Sequence, residues 1–414
     1  MNRIILIGNG FDLAHNLPTR YEDFINWYWD NIAYSFHLNH SNIYTDCLCT
    51  LKIKHSTWRE FANNNYSVLH PKPYHEYIKD IINDKENFEV QLTPFLQNIY
   101  QSIATKGWVD IENEYYYLLN QCTFSPLPFE YKDLNRQLSF IQAKLVEYLS
   151  FIKIDKTITN REIKNKIYSP INPKDISVQD KMSLEKHFKY WLEANEKEWG
   201  FRLYQYEIKD NQKVSAIYEF IHKYSEKLPE DHLLIDLKHY PEEFLLPNNI
   251  MLLSFNYTDT ACYYQIKNEG FSLNYIHGKL SNLESIIFGY GDELDSHYHQ
   301  LLEQNKNDLL NNIKSIRYLE SDNYRNILSF IESDSYQVFI MGHSCGNSDR
   351  TLLNTLFEHQ NCVSIKPFYY IKENGEDNYL DIVKNIYRNF TDMKLMRAKV
   401  VNKSFCEPLI LSKI

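Results

Sequence analysis

An uninterrupted apolar run near the start of the chain ends abruptly in glycine and limits the folds open to it. Residues 3–7 read RIILI and are followed at once by Gly8, Asn9 and Gly10. A β-branched run closed by glycines is typical of a strand buried on both faces, as in a parallel sheet. Further candidate strands occur at residues 250–255, 273–276, 285–288 and 336–341. Their alternation with helical segments predicts an α/β fold with a mainly parallel, Rossmann-type sheet.

The long middle of the chain has a different pattern. Apolar residues recur at helical spacing in residues 134–152, 184–192 and 217–228, and Gly200 follows the second of these segments. This spacing is typical of amphipathic helices, which often end near a glycine. We therefore predict one nucleotide-binding core, made by residues 1–30 and 246–414, and a mostly helical insertion at residues 31–245.

The composition of the chain argues against several functional classes. The 414 residues carry a net charge of −10, which argues against general nucleic-acid binding because phosphate contacts need clustered cations. Seven scattered cysteines suggest neither a disulfide framework nor a pair of CxxC zinc knuckles. No signal peptide and no apolar stretch of about 20 residues, the length that a membrane span needs, is recognisable. We expect a cytoplasmic protein without membrane contact or bound metal.

Glycine is scarce, and its positions therefore carry information. Only 11 glycines are present, and seven of them fall in four short segments: Gly8, Gly10, Gly278, Gly289, Gly291, Gly342 and Gly346. Such clustering marks places where the backbone turns sharply or approaches a ligand closely.

The first of these segments resembles a phosphate-binding loop. Residues 8–12 read GNGFD directly after the first predicted strand, where glycines let the backbone approach a pyrophosphate at a helix N-terminus. Leu13 stands at the third glycine position of GxGxxG, so the fingerprint is incomplete. A tight turn without a ligand is the alternative interpretation.

Three more segments follow predicted strands. Asn256 lies at a strand end, where its amide can hold a ribose hydroxyl or a water, or can cap the next helix. His277 precedes Gly278 at another strand end and is a candidate general base, or a structural histidine. Residues 289–293 (GYGDE) are compatible with a sugar site or with a simple loop.

Residues 342–346 (GHSCG) fit the G-x-S-x-G elbow of serine hydrolases, with Ser344 as nucleophile. That fold takes its triad in the order serine, acid, histidine. After Ser344 the chain offers only His359, with Asp349 and Glu358 between them. This stretch is too short to supply another strand and a distant histidine loop, so the hydrolase is a secondary hypothesis.

Taken in order, these segments resemble the motifs of the sirtuin family. Gly8, Gly10, Leu17 and Pro18 are similar to its GAGxS…G(I/L)P motif, and Asn256 with Tyr257 to its Asn-centred motif. His277-Gly278 is similar to its His-Gly motif, Phe288-Gly289 to an FGE-like turn, and Gly342, Ser344 and Asp349 to GxSxxDxD. Asp12 stands where sirtuins usually have Ser, Asn16 replaces a Gly, and Thr258 replaces an Asp.

The resemblance to one defence family is closer and extends over most of the chain. The opening IGNGFDLAHNLPTRYEDF and residues 108–112 (WVDIE) are similar to the AbiH abortive-infection family of phage-defence proteins. Together the two resemblances imply a sirtuin-like core that binds NAD as substrate and cleaves it to nicotinamide and ADP-ribose. The missing zinc knuckles favour hydrolysis over protein deacylation.

The resemblance also implies roles for individual residues. The residues that it implies would bind NAD are Gly8, Asn9, Gly10, Phe11, Asp12, Gly342, Ser344 and Asp349. Asn256 would orient the nicotinamide ribose and the attacking water, and His277 would accept a proton. Positive charge develops at the sugar during glycosidic cleavage, so a carboxylate from Asp12 or Glu112 would help.

Other functions remain open. The chain could be a non-catalytic sensor of NAD or ADP-ribose, a hydrolase using Ser344, or a nuclease or other toxin. A nuclease would need metal-binding carboxylates, of which no convincing cluster is visible. Besides NAD, the expected partners are a phage-derived trigger and a second copy of the chain.

Overall fold

The computed structural model describes residues 1–39, 42–54, 75, 78–124, 130–155, 159–181, 183, 246–266 and 270–411. The helices predicted at residues 184–192 and 217–228, with Gly200, lie outside these ranges.

Strands and helices of the described residues are numbered in chain order. The strands are β1 (Asn2–Ile7), β2 (Ile43–Thr45), β3 (Cys49–Ile53), β4 (Phe88–Leu92), β5 (Ile250–Ser254), β6 (Phe271–Tyr275), β7 (Tyr336–Met341) and β8 (Cys362–Phe368). The helices are α1 (Asn9–Leu13), α2 (Tyr21–Asn39), α3 (Ile78–Asn83), α4 (Pro94–Lys106), α5 (Ile111–Phe124), α6 (Tyr131–Phe151), α7 (Arg161–Ile167), α8 (Ser296–Glu303), α9 (Lys314–Arg317), α10 (Asn323–Ser333), α11 (Arg350–Glu358), α12 (Tyr379–Arg388) and α13 (Met393–Lys399). Short 3₁₀ turns lie at Val178–Asp180, Asp259–Tyr264, Leu283–Ser285, Asn307–Leu309, Tyr318–Glu320, Asn347–Asp349 and Lys403–Phe405.

The core is a five-stranded sheet in the order β6-β5-β1-β7-β8, and each neighbouring pair is parallel. This confirms the predicted α/β class and the parallel sheet. The chain moves outward from β1 to β5 and β6 on one side, and to β7 and β8 on the other. The order therefore reverses between β1 and β7, and in open parallel sheets such a switch point creates a crevice at the carboxyl ends of the strands.

Apolar side chains cover both faces of this sheet, as is usual for parallel sheets. On one face Ile4, Leu6 and Val338 pack with residues of α10, α11 and α12. On the other face Ile5 and Phe339 pack with Ile163 and Ile167 of α7. Helix α7 belongs to the predicted insertion by sequence but covers the sheet.

One predicted strand is wrong. Residues 285–288 form no strand: Ser285 is the last residue of the 3₁₀ turn Leu283–Ser285, and residues 286–288 run as an irregular connection. Ile286, Ile287 and Phe288 are nevertheless buried, and the Ile287 N–H donates to the His277 carbonyl. The apolar run thus reflects burial of a connection and not pairing in a sheet.

The described part of residues 31–245 is mainly helical and has its own core, which joins α2, α4, α5 and α6. The helix predicted from the spacing at residues 134–152 is confirmed as α6. A small antiparallel sheet in the order β2-β3-β4, which the sequence analysis missed, packs on the same core. Helix α2 runs through residue 30, so the predicted boundary falls inside a helix.

This second core also includes residues from the C-terminal part of the chain, among them Phe288 and Tyr290. The rings of Tyr116 and Tyr290 stack with centroids 3.7 Å apart. The insertion and the core are therefore joined by packed side chains. Among the described residues, no helix has the length and apolar character needed to cross a bilayer.

Candidate functional site

The turns that follow β1, β5, β6 and β7 meet at the carboxyl edge of the sheet. The Asn256 side chain donates from Nδ2 to the Gly8 carbonyl at 3.0 Å, which joins the turns after β5 and β1. The Gly10 N–H donates to the Gly342 carbonyl at 2.8 Å, which joins the turns after β1 and β7. The structure thus brings together the segments that the sequence singled out.

The glycines of these turns allow backbone to touch backbone. A Cβ on Gly8 would lie 2.5 Å from the His343 Cα, and one on Gly342 would lie 2.0 Å from the Phe11 nitrogen. Gly342 also has a φ of +80°, which favours glycine. Close packing of the two turns therefore accounts for these glycines without a ligand.

Within the proposed phosphate loop, several groups already have partners. The N–H groups of Gly10 and Phe11 donate to the carbonyls of Gly342 and Gly8, and the Phe11 ring is buried in the layer under the sheet. Asn9 is exposed, and its Oδ1 accepts from the Thr19 hydroxyl at 2.5 Å.

Asp12 is buried between the turns after β1 and β5, with 1% of its surface exposed. Its Oδ2 accepts from the Thr258 hydroxyl at 2.7 Å, while its Oδ1 is buried without a hydrogen-bond partner among the described residues. Burial raises the pKa of Asp12 to about 6, against the lowering effect of the Thr258 hydroxyl. Helix α1 has no side-chain cap, so Asp12 does not serve as one.

His277 lies at the end of β6, is 4% exposed and faces a carboxylate. Its Nε2 is 3.2 Å from the Asp349 Oδ1 and 3.3 Å from the Tyr318 hydroxyl. The Phe255 ring packs edge-on against it at 5.2 Å. A carboxylate only accepts hydrogen bonds, so in neutral His277 the Nε2 carries the hydrogen and Nδ1 carries the lone pair.

Asp349 faces a second imidazole. Its Oδ2 lies 3.4 Å from the His343 Nε2, and the Cys345 N–H donates to the His343 Nδ1 at 3.0 Å. The bond at Nδ1 places the hydrogen of neutral His343 on Nε2, towards Asp349. The 3₁₀ turn Asn347–Asp349 at the start of α11 carries Asp349 into this position.

Lys314 and Glu112 complete what we term the ionic cluster: His277, Asp349, His343, Lys314 and Glu112. The Lys314 Nζ lies 2.8 Å from the Asp349 Oδ1 and 2.9 Å from the Glu112 Oε2. The other oxygen of Glu112 accepts from the Gly289 N–H at 2.9 Å. Glu112, from the WVDIE segment of the insertion, therefore reaches the core.

The charges of the ionic cluster are set by burial and by one another. Burial would raise the pKa of Asp349, but Lys314 and then the His277 imidazole hold it well below its usual range. Burial lowers the pKa of His277, Lys314 lowers it further, and Asp349 opposes both. Burial would lower the pKa of Lys314, yet Asp349 and Glu112 raise it overall. At neutral pH Asp349 is ionised and His277 is a neutral base.

Asp110 and two tyrosines surround this cluster. The Asp110 Oδ1 accepts from the Asn113 N–H at 3.0 Å and so caps α5, and burial raises the pKa of Asp110. The hydroxyl of Tyr257 donates to the Ile287 carbonyl at 3.0 Å. Burial first, and then Glu112, raises the pKa of Tyr21.

Residues 289–293 (GYGDE) pack against the segment that carries Lys314 of the ionic cluster. A Cβ on Gly289 would lie 2.0 Å from the Asn312 carbonyl oxygen, and one on Gly291 would lie 3.3 Å from the Lys314 Cβ. The Lys314 N–H donates to the Tyr290 carbonyl. These glycines thus let the segment lie against the chain that presents Lys314. Asp292 is engaged by Arg350 at 3.2 Å.

The arrangement around Ser344 differs from a hydrolase elbow. Ser344 is exposed, and the residue with a positive φ is its buried neighbour Cys345, at +56°. His359 lies 3.3 Å from Glu332 and directly after α11, whereas Ser344 precedes that helix. Nine helical residues span about 13 Å, so Ser344 and His359 do not form a triad.

Sequence reasoning missed Lys314. It stands in the sequence IKSI, which has no glycine, no strand end and no recognised motif. Its importance follows only from full burial between two carboxylates. Within the described ranges, no three His, Cys, Asp or Glu side chains are arranged to hold a metal ion.

Fold and site define an α/β protein whose parallel sheet carries a buried ionic cluster at its carboxyl edge, the edge where such sheets bind ligands. Residues 4–371 match the family model described as "Bacteriophage abortive infection AbiH", and the chain belongs to this family. Membership of this family indicates a role in abortive infection, a defence against phage. Neither a curated protein nor a solved structure matches the chain.

Proposed function

We propose that the protein hydrolyses the N-glycosidic bond of NAD, releasing nicotinamide and ADP-ribose, as part of abortive infection. The observation that carries the proposal is the convergence of Asn256 and His277 at adjoining strand ends, with His277 held against an ionised Asp349. NAD is selected as substrate by the sirtuin-like order of the motifs.

The topology supports a dinucleotide substrate. Counted along the chain, the five core strands lie in the order 3-2-1-4-5, which is also found in doubly wound dinucleotide-binding sheets. At the switch point between β1 and β7, Asn9 and Ser344 are both exposed. These two residues are the best placed to contact the pyrophosphate, since Gly10 and Phe11 already have partners and Asp349 is engaged by the cluster.

The departures from the sirtuin-like pattern are mutually consistent. Asp12 stands in place of a Ser and Thr258 in place of an Asp, and the two side chains contact each other. Relative to that pattern, hydroxyl and carboxylate have exchanged positions, and in this chain they join the two turns. Asn16 replaces a Gly and keeps a left-handed φ of +59°, which Asn tolerates better than most residues.

The chemistry follows from these positions. Asn256 donates from Nδ2 to the Gly8 carbonyl, which leaves Oδ1 to accept from a ribose hydroxyl or a water. The water attacks C1′, the bonding electron pair leaves with the nicotinamide nitrogen, and the water proton passes to Nδ1 of His277. Burial raises the pKa of Glu112 to about 8 and that of Asp110 as well, so the ionised carboxylate here is Asp349, whose negative charge favours the positive charge that develops on the sugar.

Incubation of purified protein with NAD, with nicotinamide measured by chromatography, tests the proposal. We expect release by the wild type and a loss on the order of 10²–10⁴-fold in His277→Ala, as for other general bases. Asn256→Ala should lose activity comparably. Parallel samples receive lysate of phage-infected cells, so that dependence on a trigger is measured as well. Wild-type rates in both variants would contradict the assignment.

A second candidate is a non-catalytic sensor of NAD or ADP-ribose. The burial of His277, only 4% exposed, favours it because water and substrate have restricted access to the imidazole. A sensor would bind NAD without releasing nicotinamide in any sample, and its affinity would be unchanged in His277→Ala. Calorimetric measurement of NAD affinity in the wild type and in His277→Ala distinguishes a sensor from an enzyme.

A further inference from the structure

Within the ionic cluster, the buried Lys314 ammonium links a carboxylate of the insertion to a carboxylate of the core. The Lys314 side chain is 0% exposed, and its ammonium contacts Glu112 of α5 on one side and Asp349 of the core on the other. Glu112 has both oxygens engaged, one by Lys314 and one by the Gly289 N–H. The ammonium is therefore held in place from the insertion.

The oxygen that Lys314 contacts is also the one that faces His277. Asp349 Oδ1 lies 2.8 Å from the Lys314 Nζ and 3.2 Å from the His277 Nε2. A displacement of Lys314 would leave this carboxylate buried with only imidazoles for partners. A buried carboxylate without a cation favours the charged form of a neighbouring base, so His277 would take up a proton and its Nδ1 would lose the free lone pair.

We propose that Lys314, anchored by Glu112 from the insertion, is a positioning residue that fixes Asp349 against His277 and keeps His277 neutral. The consequence for reaction rate rests on the proposed function of His277 as the base. Lys314 is too enclosed by its two carboxylates to contact substrate, so it acts through Asp349.

The groups that face His277 determine the expected signs. They are Asp349 from the start of α11, Lys314 from α9, His343 from the turn after β7, Tyr318 after α9 and Tyr257 after β5. Lys314 disfavours a proton on His277 and Asp349 favours one. Removal of Lys314 should therefore raise the pKa of His277, and removal of the Asp349 charge should lower it.

The test measures the pKa of His277 by NMR in histidine-labelled protein, with the resonance assigned by its loss in His277→Gln. Lys314→Met should raise this pKa and Asp349→Asn should lower it. The double variant Lys314→Met/Glu112→Gln removes the cation together with one carboxylate that it neutralises, and covers the case in which Lys314→Met does not fold. It should also raise the pKa.

Lys366→Met is the matched control, because Lys366 is a buried lysine that pairs with Asp175 at 2.9 Å outside the cluster. It should leave the His277 pKa unchanged. An equal rise in Lys366→Met, or no rise in either Lys314 variant, would overturn the proposal. If NAD is cleaved, the acidic limb of the pH–rate profile should move to higher pH in the Lys314 variants. If NAD is not cleaved, the NMR signs still decide this inference while the proposed function fails.

Discussion

Asp12 shows how a single buried carboxyl group can make the stability of this protein depend on pH. One of its oxygens accepts from Thr258 and the other is buried without a partner among the described residues. Its pKa is raised by burial to about 6, above the value expected in an unfolded chain. Ionisation therefore costs more in the folded state, and stability is lost as pH rises through about 6.

Asp12→Asn should remove this dependence, since the amide oxygen still accepts from Thr258 and the side chain does not ionise. We expect its free energy of unfolding, relative to wild type, to increase by about 1–3 kcal/mol between pH 4.5 and pH 7.5. Urea unfolding across that range is the measurement. A constant difference between the two proteins would mean that the Asp12 pKa is not raised in the folded state.

At the scale of elements, the turns after β1 and β7 are packed backbone to backbone. Gly342 and Gly375 have nearly equal φ values, +80° and +81°. A Cβ on Gly342 would lie 2.0 Å from the Phe11 nitrogen, whereas one on Gly375 would meet nothing within 4 Å. The two positions share a left-handed backbone conformation, but only Gly342 is in close contact with another segment of backbone.

Gly375→Ala should therefore lower the free energy of unfolding only by the cost of placing alanine at a positive φ, about 1–3 kcal/mol. Gly342→Ala should lower it by that amount and by at least about 2 kcal/mol more, because the turns must separate to admit the methyl group. Denaturant midpoints of the two variants give the comparison. Equal losses would show that the contact between the turns yields easily.

The sequence predicts some elements better than others for physical reasons. Strands β1 and β7 each end in four consecutive apolar residues, 4–7 and 338–341, that are followed by a glycine, and both are recognisable in the sequence. Strand β8 was missed because Lys366 and Pro367 interrupt its pattern. The structure explains both: Lys366 pairs with the buried Asp175, and β8 is an edge strand, where a proline costs no ladder bond.

At the scale of the whole molecule, the site combines residues that are far apart in sequence. Asn256 and His277 could be predicted because each follows a strand, and strand ends meet at one edge. Asp349 was expected to bind NAD, and the structure places it against His277, His343 and Lys314. The contact of Glu112 with Lys314, 202 residues apart, leaves no local pattern and appears only when insertion and core are packed.

The family match spans residues 4–371 and therefore includes both the core and the insertion. The ionic cluster draws residues from both regions as well. The insertion thus contributes Glu112 to the ionic cluster at the sheet edge.

The most direct test measures NAD in bacteria during phage infection, since the infected cell supplies whatever trigger the protein requires. Cells carrying the wild-type chain are compared with cells that express His277→Ala at the same level. The account predicts that NAD falls after infection in the first cells and holds steady in the second, where protection is also lost. Protection by the wild-type chain with an unchanged NAD level would contradict it.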